Sequence, residues 1–546
     1  MTSVDQRVAR LLEEFGSPRA SAAWLFCDRH PPDAVAFTIG TDDGFRDLTY
    51  GQLRQDSIAL AASFRALGVG PGDRVASLLG KGVEIVTTML AAWRLGAVYV
   101  PLFTAFAPKA ISYRLEHADV KVVVTNLEQL PKIAASAELV PDASWTTVTV
   151  GASEHESGLR FADLIQHVNG HDAPRYVQGG DAPIVHMFTS GTTGNPKGVI
   201  HPLRHVAGWV GYLEFALGVT PDDRYWCAAD PGWAYGLYAG IIAPLASASG
   251  NILQSGGFRA ESTWAVIRDL GVTNFSAAPT VYRALKNAED TPESGFQLKR
   301  LSSAGEPLTP DINHWTLAKF GLAVHDHYGQ TEVGMIFANH HHPDLAREIS
   351  EGSMGQPLPG WTAVVLGDDD NIVPDGTVGR IAIDSAESLM MTFRGYQDPT
   401  QAASRFAGDG RYYLLGDLGK HEANGDFRFS SRDDDVIIMA GYRIGPFEIE
   451  SVISQLPQVA ECAVVAAPDE IRGEVVEAFI VLRPGEFGSD ALASEIQGAI
   501  KNGYSAHAYP RAVHFVESLP KTPSGKVQRF VLREQRKAEF AAKEKP

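Results

Sequence analysis

The chain has 546 residues, 45% of them hydrophobic, which is too much for a single core and suggests roughly two to four domains. A formal net charge of −18 argues against a nucleic-acid binder working through a basic surface, and no stretch reaches the roughly 18 unbroken apolar residues of a membrane span. Cys27, Cys227 and Cys462 are too few and too scattered for a disulfide framework or a metal-ligand pair, so buried or inert thiols are expected.

The first ten residues lack the apolar block of a secretory leader, and a cytoplasmic protein is expected. A short strand at Asp47-Leu48-Thr49 runs into a helix starting at Tyr50, whose stripe of Ile58, Leu60, Ala61, Phe64 and Leu67 is stopped by Gly68. Residues 72–79 read as a strand, Val83 to Leu95 as a helix and Ala97 to Val100 as a second strand. The unit recurs with a helix at 110–116 before a strand at 120–125, and with a helix at 261–270 before a strand at 272–276. Such repetition implies largely parallel sheets covered by helices, with ligands gathering at the carboxyl ends of the strands.

Between the strand-like runs Ile184 to Phe188 and Val199-Ile200 lies Thr189-Ser190-Gly191-Thr192-Thr193-Gly194-Asn195-Pro196-Lys197-Gly198. Glycines allow close backbone approach, four hydroxyls donate hydrogen bonds and Lys197 supplies a point charge, which together suit a polyphosphate. The spacing is not that of a P-loop, and no helix is expected to start there. The aromatic segment 222–238, with Asp230-Pro231-Gly232-Trp233, fits either an apolar pocket or ordinary core. Ser303-Ala304-Gly305-Glu306-Pro307 and Asp326-His327-Tyr328-Gly329-Gln330-Thr331-Glu332 read as polar loops, each following a strand. His340-His341-His342 reads as an exposed loop without metal.

From about 355 the chain becomes β-rich, and a smaller β subdomain is expected up to a boundary at Arg432-Asp433-Asp434-Asp435. A compact α+β module follows, ending in Pro520-Lys521-Thr522-Pro523-Ser524-Gly525-Lys526 and a charged helix. The predicted class is thus α/β: a large N-terminal domain of helix-covered, largely parallel sheets plus a β subdomain, and a small mobile C-terminal α+β domain.

Five segments, the Thr189–Gly198 loop, Tyr328–Glu332, Leu415-Gly416-Asp417, Arg432 to Gly445 and Pro520 to Lys526, in this order, resemble the adenylate-forming superfamily of acyl-CoA synthetases, luciferases and peptide adenylation domains. The resemblance implies that a carboxylate and Mg²⁺-ATP give acyl-adenylate and pyrophosphate, after which the coenzyme A thiol attacks the acyl carbonyl. It places Thr189, Ser190, Gly191, Thr192, Thr193, Gly194 and Lys197 on the β- and γ-phosphates, Thr331 on the α-phosphate and Glu332 on Mg²⁺. Gly305, Glu306, Pro307, Asp326, His327 and Tyr328, with Gln330 beside them, would frame the nucleotide, while Asp417 and Arg432 would reach the ribose and Arg443 would contact ATP in one orientation. Lys526 would bridge the α-phosphate and the substrate carboxylate. By the same resemblance residues 1–432 form the N-terminal domain, 433–434 the hinge about Asp434, and 435–546 a rotating domain in which Gly441 lets pantetheine pass.

The Cys227 to Trp233 stretch resembles the acetyl-, propionyl- and medium-chain branch, with Trp233 and Gly329 in the acyl pocket. Acetyl-specific members carry Trp where Gly329 stands, so an acid longer than acetate is expected, most simply a medium-chain fatty acid. The alternatives are a short-chain synthetase, an aryl or amino acid adenylation enzyme loading a carrier protein, and a non-catalytic ATP-binding regulator. The last should have lost Lys526, Glu332 or Asp417, and it has not. A protein acetyltransferase is an expected partner at Lys526, and an oligomer is compatible with the sequence.

Overall fold

The alternation read between residues 72 and 126 folds as parallel pairs. Strand Arg74–Leu78 lies between Val98–Pro101 and Val120–Asn126, reached through helices Val83–Arg94 and Pro108–His117. With helices on both faces, the middle strand is buried from Val75 to Leu78. The computed structural model describes residues 3–41, 44–152, 158–166, 175–189, 196–288, 292–398, 405–433, 435–439, 442–469, 473–505, 507–522 and 525–543. Helix Val83–Arg94 is buried from Ile85 onward, and this includes Arg94, whose guanidinium pairs in two-pronged fashion with Asp28 at 2.6 and 2.9 Å. Only such a matched partner makes a charge tolerable at that depth.

The first sheet has seven strands. It runs Leu159–Arg160, Thr146–Val150, Val120–Asn126, Arg74–Leu78, Val98–Pro101, Pro183–Thr189, Lys197–Pro202, and the final pair is an antiparallel hairpin with Thr189 opposite Lys197. The second sheet begins with four parallel strands, Tyr225–Cys227, Asn274–Ala277, Arg300–Ala304 and Val324–Gln330. It then turns antiparallel through Gly334–Ala338, Ser353–Pro357, Phe427–Arg432, Tyr412–His421, Gly379–Asp384 and Ala363–Leu366. The β-rich region expected as a smaller subdomain therefore continues the second sheet edge to edge, because Ser353–Pro357 pairs with a strand on each side.

After Arg432 the strands belong to a different sheet, with Val459–Asp469 and Gly473–Leu482 at its centre. Helices Pro446–Ile453 and Asp490–Gly503 cover it, and Ile449, Val464, Val476, Ile480, Ile496 and Ile500 build a core of its own.

Two readings are corrected. Asp326 to Gln330 are not a loop but the second half of strand Val324–Gln330, and the turn begins only at Thr331. The histidine run is not an exposed loop either. His340 is buried, and His341 stacks on His325 at 3.5 Å and bonds the Leu301 carbonyl at 3.2 Å. Neutral imidazole serves there as a packing group with two polar edges. The aromatic segment divides: Tyr225 and Tyr238 are core, Trp226 is buried yet borders the cleft described next, and Trp233 and Tyr235 line that cleft.

Candidate active site

The carboxyl ends of the parallel strands in the second sheet, the hairpin of the first and the C-terminal unit enclose one cleft of about 1490 Å³. Lys197, Arg405, Arg432 and Lys526 are among the cations that line it, interspersed with carboxylates such as Glu306, Glu332 and Asp417, so a chain of net charge −18 offers an anion local positive groups rather than a basic surface.

Strand pairing sets the first part of the wall. Asp417 stands directly opposite Arg432 in the antiparallel ladder. The Tyr328 hydroxyl donates to Asp417, and the Gln330 amide reaches the Leu415 carbonyl at 2.6 Å and the Tyr328 oxygen at 2.9 Å. Burial raises the Asp417 pKa, opposed by Arg432 and then by the Tyr328 hydrogen bond. Glu306 begins the turn after strand Arg300–Ala304 and is fixed by Thr280 at 2.6 Å and Arg283 at 2.7 Å. Asp326 faces the same cleft, its Oδ1 buried with no hydrogen-bond partner among the described residues. Burial pushes this carboxyl well above the usual range against the backbone N–H groups of Leu308 and His327. His327 is buried and takes part in a chain through the Tyr212 hydroxyl at 2.8 Å.

The turn after Gln330 carries the next groups. Glu332 is only 6% exposed, and its Oε1 accepts from Tyr396 at 2.8 Å. The Lys197 ammonium lies 4.9 Å from the centre of the same Tyr396 ring. Lys526 enters from the C-terminal unit on a small hairpin in which the Thr522 N–H reaches the Lys526 carbonyl at 2.7 Å. Gly525 there has φ +90°, a conformation that favours glycine. Protein walls crowd Lys526, and this lowers its pKa; Glu306 raises it, Arg432 lowers it and Asp417 raises it. The side chain keeps accessible surface in the open cleft.

On the apolar side Trp233 packs against Phe103 at 5.3 Å and Phe106 at 5.6 Å. Gly329 lines the cleft, but a Cβ there would meet the Gly334 carbonyl at 2.4 Å and Met335 Sδ at 2.7 Å. The room beside Gly329 is thus taken by the facing strand, and Met335 stands where a void was expected.

Of the residues singled out in the sequence, Thr189, Lys197, Gly305, Glu306, Pro307, Asp326, His327, Tyr328, Gly329, Gln330, Thr331, Glu332, Asp417, Arg432, Trp233 and Lys526 share this cleft. Ser190, Gly191, Thr192, Thr193, Gly194, Asp434 and Gly441 lie outside the described residues, as does the side chain of Arg443. Sequence reasoning missed Tyr396, Arg405, Thr280 and Arg283. Their only trace was an aromatic after Gly395 and polar positions beside Pro279, a signal shared by many surface turns.

Comparison with known proteins agrees with this geometry. The family model of AMP-binding enzymes matches residues 24–397, and that of the AMP-binding enzyme C-terminal domain matches 448–526. The chain is 35% identical to acetyl-coenzyme A synthetase of Bacillus subtilis (strain 168), over 94% of this chain and 90% of that one. It is also 35% identical to the human mitochondrial acyl-coenzyme A synthetase ACSM3, over 85% and 78%. The crystal structure of Brucella canis acyl-CoA synthetase superposes with TM-score 0.76 at 39% identity, covering 98% of each chain. The anthranilate CoA ligase AuaEII in complex with anthranoyl-AMP superposes with TM-score 0.86 at 27% identity, covering 96% and 98%. With one cleft shared between its two units and these relatives along almost its whole length, the chain belongs to the AMP-binding enzyme family as an AMP-forming acyl-CoA synthetase, an acid–thiol ligase.

Proposed function

We propose that the protein activates a medium-chain fatty acid as its acyl-adenylate and passes the acyl group to coenzyme A. The observation that carries the two-step reading is Lys526, delivered by the C-terminal unit into the cleft that holds Thr331, Glu332 and Asp417. Bringing a carboxylate to an α-phosphate sets anion against anion, so the barrier falls chiefly by positioning and charge neutralisation. Lys526 would span both anions, and Lys197 with residues 190–195 would hold the outer phosphates. Asp417 and Arg432 would take the ribose, and the unpaired Asp326 Oδ1 would accept from the adenine amino group. Thr331 would donate to the α-phosphate.

Glu332 suits Mg²⁺ by donor type. Tyr396 engages Oε1, which leaves Oε2 for a cation. No cluster of three or more His, Cys, Asp or Glu suited to a metal occurs among the described residues, so ATP phosphates and water would complete the coordination, as is usual for this ion. Bound there, Mg²⁺ would offset the phosphate charge. In this reading the C-terminal unit then turns about Asp434, Arg443 changes contacts and coenzyme A passes Gly441. Acetylation of Lys526 would remove the charge and stop the first step.

For the acid, the support is the apolar wall of Trp233, Phe103 and Phe106 with Met335 at Gly329. A thioether on a flexible stem adapts to an alkyl chain better than a rigid indole would. Each methylene buried there is worth about 0.8 kcal/mol, roughly fourfold in kcat/KM. The three aromatic rings also favour a second reading, an aryl acid. Acid-dependent pyrophosphate release from acetate to dodecanoate and with benzoate, repeated with coenzyme A to detect thioester, is expected to peak at a medium-chain acid, with the rate climbing from acetate as each buried methylene is added. A maximum at acetate overturns the medium-chain reading, and a maximum at benzoate selects the aryl one.

A further inference from the structure

Behind the Thr331–Glu332 turn lies a dry box of histidines and aromatics. His201, four residues after Lys197, is 1% exposed. Its Nε2 lies 2.7 Å from the Thr331 carbonyl and its Nδ1 2.8 Å from the Tyr238 hydroxyl. A carbonyl only accepts, so Nε2 carries the proton and Nδ1 of the neutral ring accepts from Tyr238. The His205 ring stacks on it at 4.2 Å with planes 17° apart. Trp209 Nε1–H, a donor only, points at His205 Nε2 at 3.0 Å, so His205 holds its proton on Nδ1 and donates to Thr392 Oγ1 at 2.9 Å.

The pair therefore has two arms. One grips the Thr331 carbonyl directly. The other holds Thr392, four residues before the Tyr396 that bonds Glu332. The turn lies flat on the box: Gly334 has φ +82°, and a Cβ there would come within 3.1 Å of Trp209 Nε1 and 3.3 Å of His205 Cε1. Burial pushes His201 down to about 4 against its bond to the Thr331 carbonyl, and burial with His201 beside it pushes His205 well below the ordinary imidazole value. Both rings stay uncharged at neutral pH and give directional bonds without adding charge behind the phosphates.

We propose that His201 and His205 are positioning residues for acyl-adenylate formation, holding the Thr331 hydroxyl and the Glu332 carboxylate in register from behind. This rests on the reading that Thr331 and Glu332 face the nucleotide. Preorganised polar groups need no reordering as charge develops, and a small misplacement costs rate more than binding.

The test uses the full chain and measures the two half-reactions separately. His201→Phe keeps the stacked ring and loses both hydrogen bonds; His201→Gln restores an N–H near the Nε2 position. His201→Phe is expected to slow acyl-AMP formation about 10- to 100-fold with the KM for ATP moved less than about threefold, and to leave thioester formation from supplied acyl-AMP within about twofold. His201→Gln is expected to recover at least about fivefold of the loss. Adenylation by His201→Phe at the wild-type rate, an equal fall in both half-reactions, or no rescue by His201→Gln overturns the proposal. Should His201→Phe not fold, Thr392→Val, which cuts only the second arm, takes its place and must slow the first half-reaction selectively. If instead Thr331→Val and Glu332→Gln adenylate as well as the wild type, the assignment of the turn to the nucleotide fails, whatever the histidines do.

Discussion

Lys526 shows how a side chain of ordinary composition acquires a proposed role from where the fold puts it. A lysine on a Pro- and Gly-containing turn is usually a solvated surface group, and what changes its meaning here is company. Burial lowers its pKa, Glu306 and Asp417 work against that shift and Arg432 adds to it. Lys526→Ala is expected to lower acyl-AMP formation by about 100-fold or more, the scale of one lost charge-stabilising donor, while sparing thioester formation from added acyl-AMP. Undiminished acyl-AMP synthesis in a single-turnover assay would remove Lys526 from the first step. The buried thiols follow the opposite course: burial pushes Cys27 up to about 12 and Cys227 up to about 11, so neither forms a thiolate readily at neutral pH, as their scatter suggested.

At the scale of elements, strand register does most of the placing. Asp417 and Arg432 meet because two antiparallel strands align them, and a slip of one residue would turn both side chains to the other face. The hairpin of Val324–Gln330 with Gly334–Ala338 bears on acid selection, since it sets Met335 against Gly329. Met335→Ala is expected to move the kcat/KM maximum about two carbons longer, with about fourfold gained per methylene the enlarged pocket can bury. A chain-length profile that does not move would take Met335 out of the acyl pocket. Register was hard to read in advance. The polar string Asp326 to Gln330 looked like a loop because a strand at the lip of a cleft bears polar side chains for ligands, a pattern that composition does not separate from a turn.

At the scale of the molecule, two buried sets of titratable groups make the fold answer to pH. Burial holds His186, His201, His325 and His340 at about 4 against an ordinary value of 6.5. The unfolded chain therefore binds more protons between those values, and stability is lost as pH falls through that window, on the order of 3 kcal/mol per imidazole if fully expressed. Circular dichroism against pH is expected to place acid unfolding between 4 and 6.5, with substitution of a buried histidine by an uncharged residue of similar size flattening the curve. An acid transition wholly below pH 4 would contradict this. The second set lies between the two units. Glu448 accepts from Ser430 at 2.6 Å, its Oε2 has no partner among the described residues, and burial pushes its carboxyl up to about 7 against the Ser430 bond. A raised carboxyl pKa in the closed arrangement means that closing takes up a proton. Within the proposed rotation, closure should weaken as pH rises from the ordinary carboxylate value to about 7 and then level off. Fluorescence transfer between labels on the two units is expected to show that slope in the wild type and none in Glu448→Gln; the same slope in both would exclude Glu448.

The sequence by itself determined the class of fold, the family and much of the lining of the cleft, because alternating strands and helices have a period and the family's motifs are turns of particular small and charged residues. Only the tertiary structure decided which side chains stand behind those turns. His201, Thr280, Arg283 and Tyr396 act through contacts between segments tens to hundreds of residues apart, and such contacts leave no local pattern. The filling of the space at Gly329 was likewise a tertiary matter, since a missing side chain does not announce which neighbour moves in.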